Sequence, residues 1–118
     1  MKKFTAFTDV TIRQAMRRLS KSGEKCLVII DEKNILLGTL SDGDIRKAIL
    51  NGSKVSDSIQ NIYQSNPKVV IEGQYDSENV RKMFIKDRFD IVPVVNDIGE
   101  LTDILLFDKI LNSGEKIK

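Results

Sequence analysis

Apolar and polar positions follow the same order twice along the chain. The runs at 25–30 and 90–95 are mostly apolar and rich in β-branched residues, a pattern typical of strands buried on both faces. Each is followed by a polar turn that contains Asp and Asn and then by a second apolar run, which predicts a hairpin in each half. Before each hairpin, apolar residues recur at helical spacing, and a short extended piece comes first.

Helix-start signals mark both copies. Thr11 and Gln14 have the spacing of a capping box, and Asp76 is an aspartate cap with acid in the next turn. Displacing the chain by 65 positions, from 11 to 76, aligns apolar with apolar residues without a gap from Phe4 to Ile45. The pattern therefore predicts two copies of a β-α-β-β-α unit. The predicted elements are strands at 4–7 and 68–71, helices at 11–22 and 76–88, strands at 25–30 and 90–95, strands at 35–40 and 100–105, and a closing helix in each copy.

The predicted fold class is α+β, with the two repeats packed as one pseudo-two-fold module. Neither copy is long enough to cover its sheet alone, so we expect them to pack together. The boundaries are residues 1–52 for the first repeat, 53–67 for a connecting segment, 68–114 for the second repeat and 115–118 for a tail.

Two apolar sets lie outside the predicted strands. The first could form a short helix on the core within the connecting segment. The second forms a wide stripe on the first helix of the second copy, and we expect part of it to contact another chain in a homodimer. The two sets are Val55, Ile59 and Ile62, and Val80, Met83 and Phe84.

Composition narrows the function classes. The chain has 118 residues and a net charge of +2 from 19 basic and 17 acidic residues that are mixed along it, which predicts neither a nucleic-acid nor a membrane partner. The single cysteine, Cys26, lies in an apolar run and suits a reduced cytoplasm. Histidine is absent, which excludes Ser-His and Cys-His nucleophiles and His-containing zinc sites. Binding is therefore favoured over catalysis.

The order of elements and three motifs resemble a pair of CBS domains, named after cystathionine β-synthase. The motifs are the Gly-x-x-Ser-x-x-Asp of Gly38, Ser41 and Asp44, the apolar strand at 91–95, and the Asn-Pro at 66–67. The resemblance implies a module that binds adenosine nucleotides, that often dimerises, and that regulates an attached enzyme or transporter. It implies AMP, ADP or ATP as a ligand and no required cofactor.

The stretch Ser-Asp-Gly-Asp-Ile-Arg, followed by Lys-Ala-Ile-Leu, resembles CBS pairs attached to sugar-phosphate enzymes. One group is nucleotidyltransferases, which carry the pair at the N-terminus; the other is isomerases, which carry it at the C-terminus. Met1 stands only a few residues before the first predicted strand. That position favours the nucleotidyltransferase arrangement.

The candidate binding site lies where the second strand of the first copy meets the closing helix. Backbone N–H groups left free at this turn would favour a phosphate, and the Asp44 carboxylate, which only accepts hydrogen bonds, suits a ribose diol. The resemblance implies that Asp44 holds the ribose, that Ser41 contacts ribose or phosphate, and that the base lies near Cys26 and Val28. Arg46 could add a bond to phosphate.

The same residues have a purely structural interpretation. Ser41 and Asp44 also have the spacing of a helix cap, which contributes roughly 1 kcal/mol by itself. A metal site built on Asp42 and Asp44 is far less favoured, because no further ligand is evident. Three hypotheses follow: a ligand-binding regulatory module, a structural dimerisation module with vestigial pockets, and, least favoured, a free-standing enzyme.

The second copy departs from the motif. The displacement of 65 sets Asp103 at Gly38, Leu106 at Ser41 and Lys109 at Asp44. Lysine cannot accept a hydrogen bond from a ribose diol. A one-residue gap would make Asp108 the counterpart of Asp44 but would misalign the closing helix. We therefore expect a degenerate second site and at most one nucleotide per chain.

Overall fold

The computed structural model describes residues 2–110 and divides into two compact units, Met1–Pro67 and Lys68–Lys118. The unit boundary falls where the sequence predicts the second repeat to begin. The predicted end of the closing helix near 112–114 and the tail at 115–118 lie outside the described residues. Each unit is α+β, as predicted.

The first unit is a three-stranded sheet with two helices. Strand β1 pairs in parallel with β2, and β2 pairs antiparallel with β3. The first strand is shorter than predicted because residues 2–4 form a 3-10 turn. The elements are β1 (Thr5–Ala6), α1 (Ile12–Ser22), β2 (Cys26–Ile30), β3 (Leu36–Ser41) and α2 (Asp42–Leu50).

The second unit repeats this plan with sheet order β4-β5-β6. Every bounded element lies 65 positions after its counterpart, and the chain is again helical at 107–110. A register shift interrupts both hairpins at equivalent places, between Ile29 and Ile30 and between Val94 and Val95. The repeat is therefore confirmed. Its elements are β4 (Val70–Ile71), α3 (Ser77–Asp87), β5 (Ile91–Val95) and β6 (Leu101–Leu106).

Each unit has its own hydrophobic cluster. In the first, Leu27, Ile29 and Leu40 from one face of the sheet join Ile12 and Leu19 from α1 and other apolar side chains. In the second, the cluster is made by Val80, Phe84, Val92, Val94 and Leu105. Strand alternation explains why only every second residue of each strand takes part.

This packing removes the basis on which a homodimer was predicted. Val80 and Phe84 are each only 1% exposed because they fill the cluster of their own unit, and Met83 packs against that cluster. The stripe is therefore core rather than interface. The homodimer stays a prediction, without support from this helix.

The connecting segment packs on the first core but is not a helix, so that prediction was wrong. The N–H groups of Ile12 and Arg13, at the start of α1, donate to the carbonyl oxygens of Asp57 and Val55, each at 2.9 Å. Carbonyls engaged with α1 in this way are not bonded within a helix of their own. Ile59 is fully buried in the cluster of the first unit, which confirms the packing.

The connecting segment also crosses the sheet edge at Gly38. Thr39 and Gln64 exchange two backbone hydrogen bonds, of 3.0 and 2.7 Å. A Cβ atom on Gly38 would collide with the carbonyl oxygen of Gln64 and would lie 2.7 Å from the ring of Tyr63. Only glycine permits this close approach.

We predict that Gly38→Ala destabilises the protein by about 2–3 kcal/mol, because the methyl group must displace Gln64 and weaken both backbone bonds. Urea unfolding followed by circular dichroism measures the change. Gly43→Ala is the matched control: its Cβ would meet only the Ser41 hydroxyl, at 3.6 Å, in a helix. It should cost nothing and can add up to about 1 kcal/mol. Equal stability of the two variants would contradict this account of Gly38.

Candidate functional site

The junction between β3 and α2 carries the predicted site. Ser41 is the last residue of β3 and the N-cap of α2. Its hydroxyl oxygen accepts from the backbone N–H of Asp44 at 3.0 Å, and the Oδ2 atom of Asp44 accepts from the backbone N–H of Ser41 at 2.9 Å. This reciprocal pair is a capping box. The structural interpretation of the motif is therefore confirmed.

The turn has fewer free N–H groups than expected. The Ser41 and Asp44 amides are used in the capping box, and the Asp42 amide donates to the carbonyl oxygen of Lys25 at 3.0 Å. Within residues 2–110, only the Gly43 amide of this turn has no acceptor. The prediction of a cradle of free amides was wrong, because the capping box occupies two of the amides and the neighbouring strand supplies an acceptor for a third, which sequence spacing does not reveal.

The helix cap uses only one of the two oxygens of the Asp44 carboxylate. Its Oδ2 atom holds the Ser41 amide, whereas Oδ1 has no hydrogen-bond partner among residues 2–110. Asp44 is half-buried, and its free oxygen is not fully enclosed by the protein. A carboxylate oxygen in this state accepts a hydrogen bond from a hydroxyl or an amine.

Arg46 lies along the exposed side of the same helix. Its guanidinium group is 3.8 Å from the carboxylate of Asp42, and the two side chains are 70% and 52% exposed. An exposed pair of this kind contributes little to stability. It does offset the second negative charge of the turn, which would otherwise oppose an anionic ligand.

The predicted base-binding residues are brought next to the turn by the strand register. Cys26 is paired with Ser41, and Val28 with Thr39. These four residues alternate with the core residues Leu27, Ile29 and Leu40, so they share the face of the sheet opposite the hydrophobic cluster. Cys26 is half-buried and Val28 is fully buried.

Sequence reasoning missed two residues of this region. Thr39 lies beside Val28 on the same face, and the carbonyl of Lys25 holds the first amide of α2. Strand alternation from Ser41 back to Thr39 could have identified the first. The second depends on the antiparallel register, and no local signal marks it.

The second unit has the same junction without the polar groups. The Phe107 amide donates to the carbonyl oxygen of Asp90 at 3.1 Å, as Asp42 does to Lys25. This bond fixes the ungapped alignment, in which Leu106 replaces Ser41 and Lys109 replaces Asp44. The one-residue gap that would align Asp108 with Asp44 is therefore excluded, and the second site lacks the hydroxyl and the carboxylate, as predicted.

Metal and membrane sites find no support in the described part of the chain. Within residues 2–110, no group of three or more His, Cys, Asp or Glu side chains is placed to hold a metal ion. Over the same range, no helix has the length and apolar character needed to cross a membrane.

Comparison with known proteins finds a family model that matches the first unit. Residues 1–51 match the family model of the CBS domain. Over 104 residues, 88% of this chain, the sequence is 22% identical to the arabinose 5-phosphate isomerase GutQ of Salmonella typhi. That alignment covers 32% of the isomerase, so the chain spans about a third of the length of this relative.

Solved structures of similar fold cover nearly the whole chain. The CBS-pair protein CBSX2 from Arabidopsis thaliana has a TM-score of 0.82 and 19% identity, over 98% of this chain and 89% of that one. CBSX2 in complex with AMP has a TM-score of 0.81 and 21% identity, over 96% of this chain and 87% of that one. The first repeat thus matches the CBS domain family, and the chain as a whole has the fold of a CBS pair.

Proposed function

We propose that this chain is a cytoplasmic regulatory module that binds an adenosine nucleotide, AMP, ADP or ATP, at the junction of β3 and α2. The observation that carries the proposal is that the two carboxylate oxygens of Asp44 differ in their hydrogen bonding. One carboxylate oxygen caps the helix, and the other has no partner among residues 2–110. A ribose hydroxyl that donates to Oδ1 would complete the hydrogen bonding of this carboxylate.

The surroundings of Asp44 support the same ligand. Cys26, half-buried on the face of the sheet that carries Ser41, offers an apolar contact to an adenine ring, whereas Val28 is fully buried and presents no surface to a ligand. Arg46 and the Gly43 amide, which has no acceptor within residues 2–110, are the groups of this turn that we propose for a phosphate. The CBSX2 structure with AMP provides a precedent for such a ligand on this fold.

One nucleotide per chain is the proposed stoichiometry. The second unit has Leu106 and the exposed Lys109 in place of the hydroxyl and the carboxylate. Neither of these two side chains has an oxygen that can accept from a ribose diol.

The enzyme regulated by the module is proposed to act on a sugar phosphate. The relative described above is an isomerase whose length is about three times that of the aligned region, which favours the isomerase arrangement. The nucleotidyltransferase arrangement, which the position of Met1 favoured, has no comparable support. In either case the module itself would carry no catalytic group.

A structural role is the second candidate function. The capping box accounts for both Ser41 and Asp44 without any ligand. In this alternative the chain would serve only to join copies of a larger protein. Apolar side chains that remain exposed on α1 and α2 are available for such a contact, namely Met16, Ile49 and Leu50, the last of them 80% exposed.

Asp44→Asn separates the two functions. The amide oxygen can still accept from the Ser41 N–H, so the helix cap persists, but an NH₂ group replaces the free acceptor. We expect the affinity for an adenosine nucleotide to fall about ten- to a hundredfold, the range for losing one hydrogen bond to a charged group. The melting temperature without ligand should barely change. Isothermal titration calorimetry with AMP, ADP and ATP measures the affinity, and thermal unfolding measures the cap.

Two matched variants control this experiment. Asp42→Asn removes the neighbouring carboxylate, which is exposed and bonded to Arg46, and Asp108→Ala removes the carboxylate that the register excludes. Both should bind nucleotide nearly as well as the wild type. If no adenosine nucleotide raises the melting temperature of the wild-type protein at millimolar concentration, the motif is a helix cap alone. Loss of binding in Asp108→Ala, but not in Asp44→Asn, would transfer the site to the second unit.

A homodimer is the proposed assembly, and Leu50→Lys tests the exposed end of α2. Placing a charge on an apolar contact should raise the dimer dissociation constant at least about tenfold. Sedimentation velocity across a concentration series measures that constant. Lys47→Ala, on the same helix, serves as a surface control. A wild-type protein that stays monomeric at high micromolar concentration would contradict the dimer.

A further inference from the structure

The outer face of α1 carries charge of one sign. The helix contains four basic residues, Arg13, Arg17, Arg18 and Lys21, and no acidic residue, although the net charge of the whole chain is only +2. Arg13, Arg17 and Lys21 recur at intervals of four residues, and each is exposed. They lie on the side of α1 opposite the residues that pack into the hydrophobic cluster. We call this row of three residues the basic stripe.

Contacts within the fold do not account for the basic stripe. The fourth cation, Arg18, is half-buried and donates from its guanidinium to the carbonyl oxygen of Thr5, so its role is structural. Within residues 2–110, by contrast, no side chain of the basic stripe takes part in an ion pair. Its three cations are therefore available to a partner.

The basic stripe also has an electrostatic cost for the helix that bears it. Arg13 and Arg17 are four residues apart, so their charges repel each other, and Arg13 lies in the first turn, where the helix dipole disfavours a cation. At the equivalent positions of α3, Glu78 and Lys82 form an ion pair with an N–O distance of 3.7 Å. The repeat thus has a favourable charge pattern in one helix and an unfavourable one in the other. Local rules of this kind are broken mainly at functional sites.

The side chains of the stripe and its border favour a protein as the partner. Met16 is 44% exposed and lies beside Arg13 on the helix surface. Methionine and arginine are both enriched in protein interfaces, whereas a thioether contributes nothing to the binding of a phosphate backbone. The planar guanidinium groups of the stripe can each hold a carboxylate through two hydrogen bonds. An acidic protein surface with an apolar side chain meets all of these requirements.

We propose that the basic stripe docks an acidic amphipathic helix of a partner protein. Three carboxylates of that helix, four residues apart, pair with Arg13, Arg17 and Lys21, and an aliphatic side chain beside them packs on Met16. Residues four apart rise by about 6 Å along any α-helix, so the three pairs stay in register when the two helices align. The carboxylates also relieve the repulsion between Arg13 and Arg17.

A designed peptide is the probe for the basic stripe. It has about 16 residues, enough for an alanine-rich sequence to form a helix, with Glu at three positions four residues apart and Leu beside the central Glu. Fluorescence anisotropy of the labelled peptide, titrated with the full chain, measures the affinity. We expect a dissociation constant below about 1 mM at low ionic strength, weakening as salt is added. A peptide of the same composition in scrambled order should bind at least about tenfold more weakly, because its carboxylates no longer match the stripe.

The repeat supplies matched protein variants. Lys21 and Lys86 occupy equivalent exposed positions in the last turns of α1 and α3. Lys21→Glu should weaken peptide binding at least about tenfold, whereas Lys86→Glu, which makes the same change of charge, should leave it unaltered. Arg13→Glu gives α1 the charge pattern of α3. It should weaken binding by a similar factor, and the melting temperature of the free protein should not fall.

Four results would overturn the proposal. They are the absence of binding at millimolar concentration, equal binding of the designed and scrambled peptides, equal effects of Lys21→Glu and Lys86→Glu, and tighter binding of a single-stranded DNA oligomer of the same net charge than of the peptide. The last result would assign the stripe to a nucleic acid instead. Nucleotide binding at Asp44 plays no part in these outcomes.

Discussion

The antiparallel register of β2 with β3 is the constraint on which the rest of the first unit depends. By pairing Cys26 with Ser41 it directs Leu27 and Ile29 into the hydrophobic cluster and leaves Val28 and Thr39 on the opposite face. A slip of one residue would exchange the two faces. The same register brings the carbonyl of Lys25 to the first amide of α2, so the strand pairing also sets where that helix begins.

The connecting segment shows how one stretch of irregular chain satisfies two structural needs. Its carbonyls cap the amides of α1, and its backbone extends the edge of β3 through Gln64, where only a glycine at position 38 leaves room. Buried backbone N–H and C=O groups need hydrogen-bond partners. Here the backbone groups of the connecting segment pair with those of α1 and β3. The second unit has the same sheet and the same first helix, and there an exposed Ser77 stands at the position of the buried Ile12.

Capping and ligand binding are compatible uses of Asp44. A carboxylate has two oxygens and about four acceptor sites, and the Ser41 amide occupies one of them. A cap also holds the side chain in one rotamer, which lowers the entropy that a ligand must otherwise supply on binding. The sequence motif is therefore compatible with a helix cap, with a binding site or with both. What distinguishes these cases is whether Oδ1, the carboxylate oxygen that the cap does not use, binds a ligand.

By itself the sequence determined the elements and their repetition. Caps at Thr11 and Asp76 and the apolar strands are local signals, and a displacement of 65 aligned them without a gap. It also identified Ser41 and Asp44, because a capping box depends on a spacing of three residues. Tertiary structure alone decided that the connecting segment is irregular and that the Asp42 amide at the start of α2 is occupied. In both cases the partner comes from a distant part of the chain, as Asp57 does for Ile12 and Lys25 for Asp42. Hydrogen bonds of that kind leave no periodicity in the sequence.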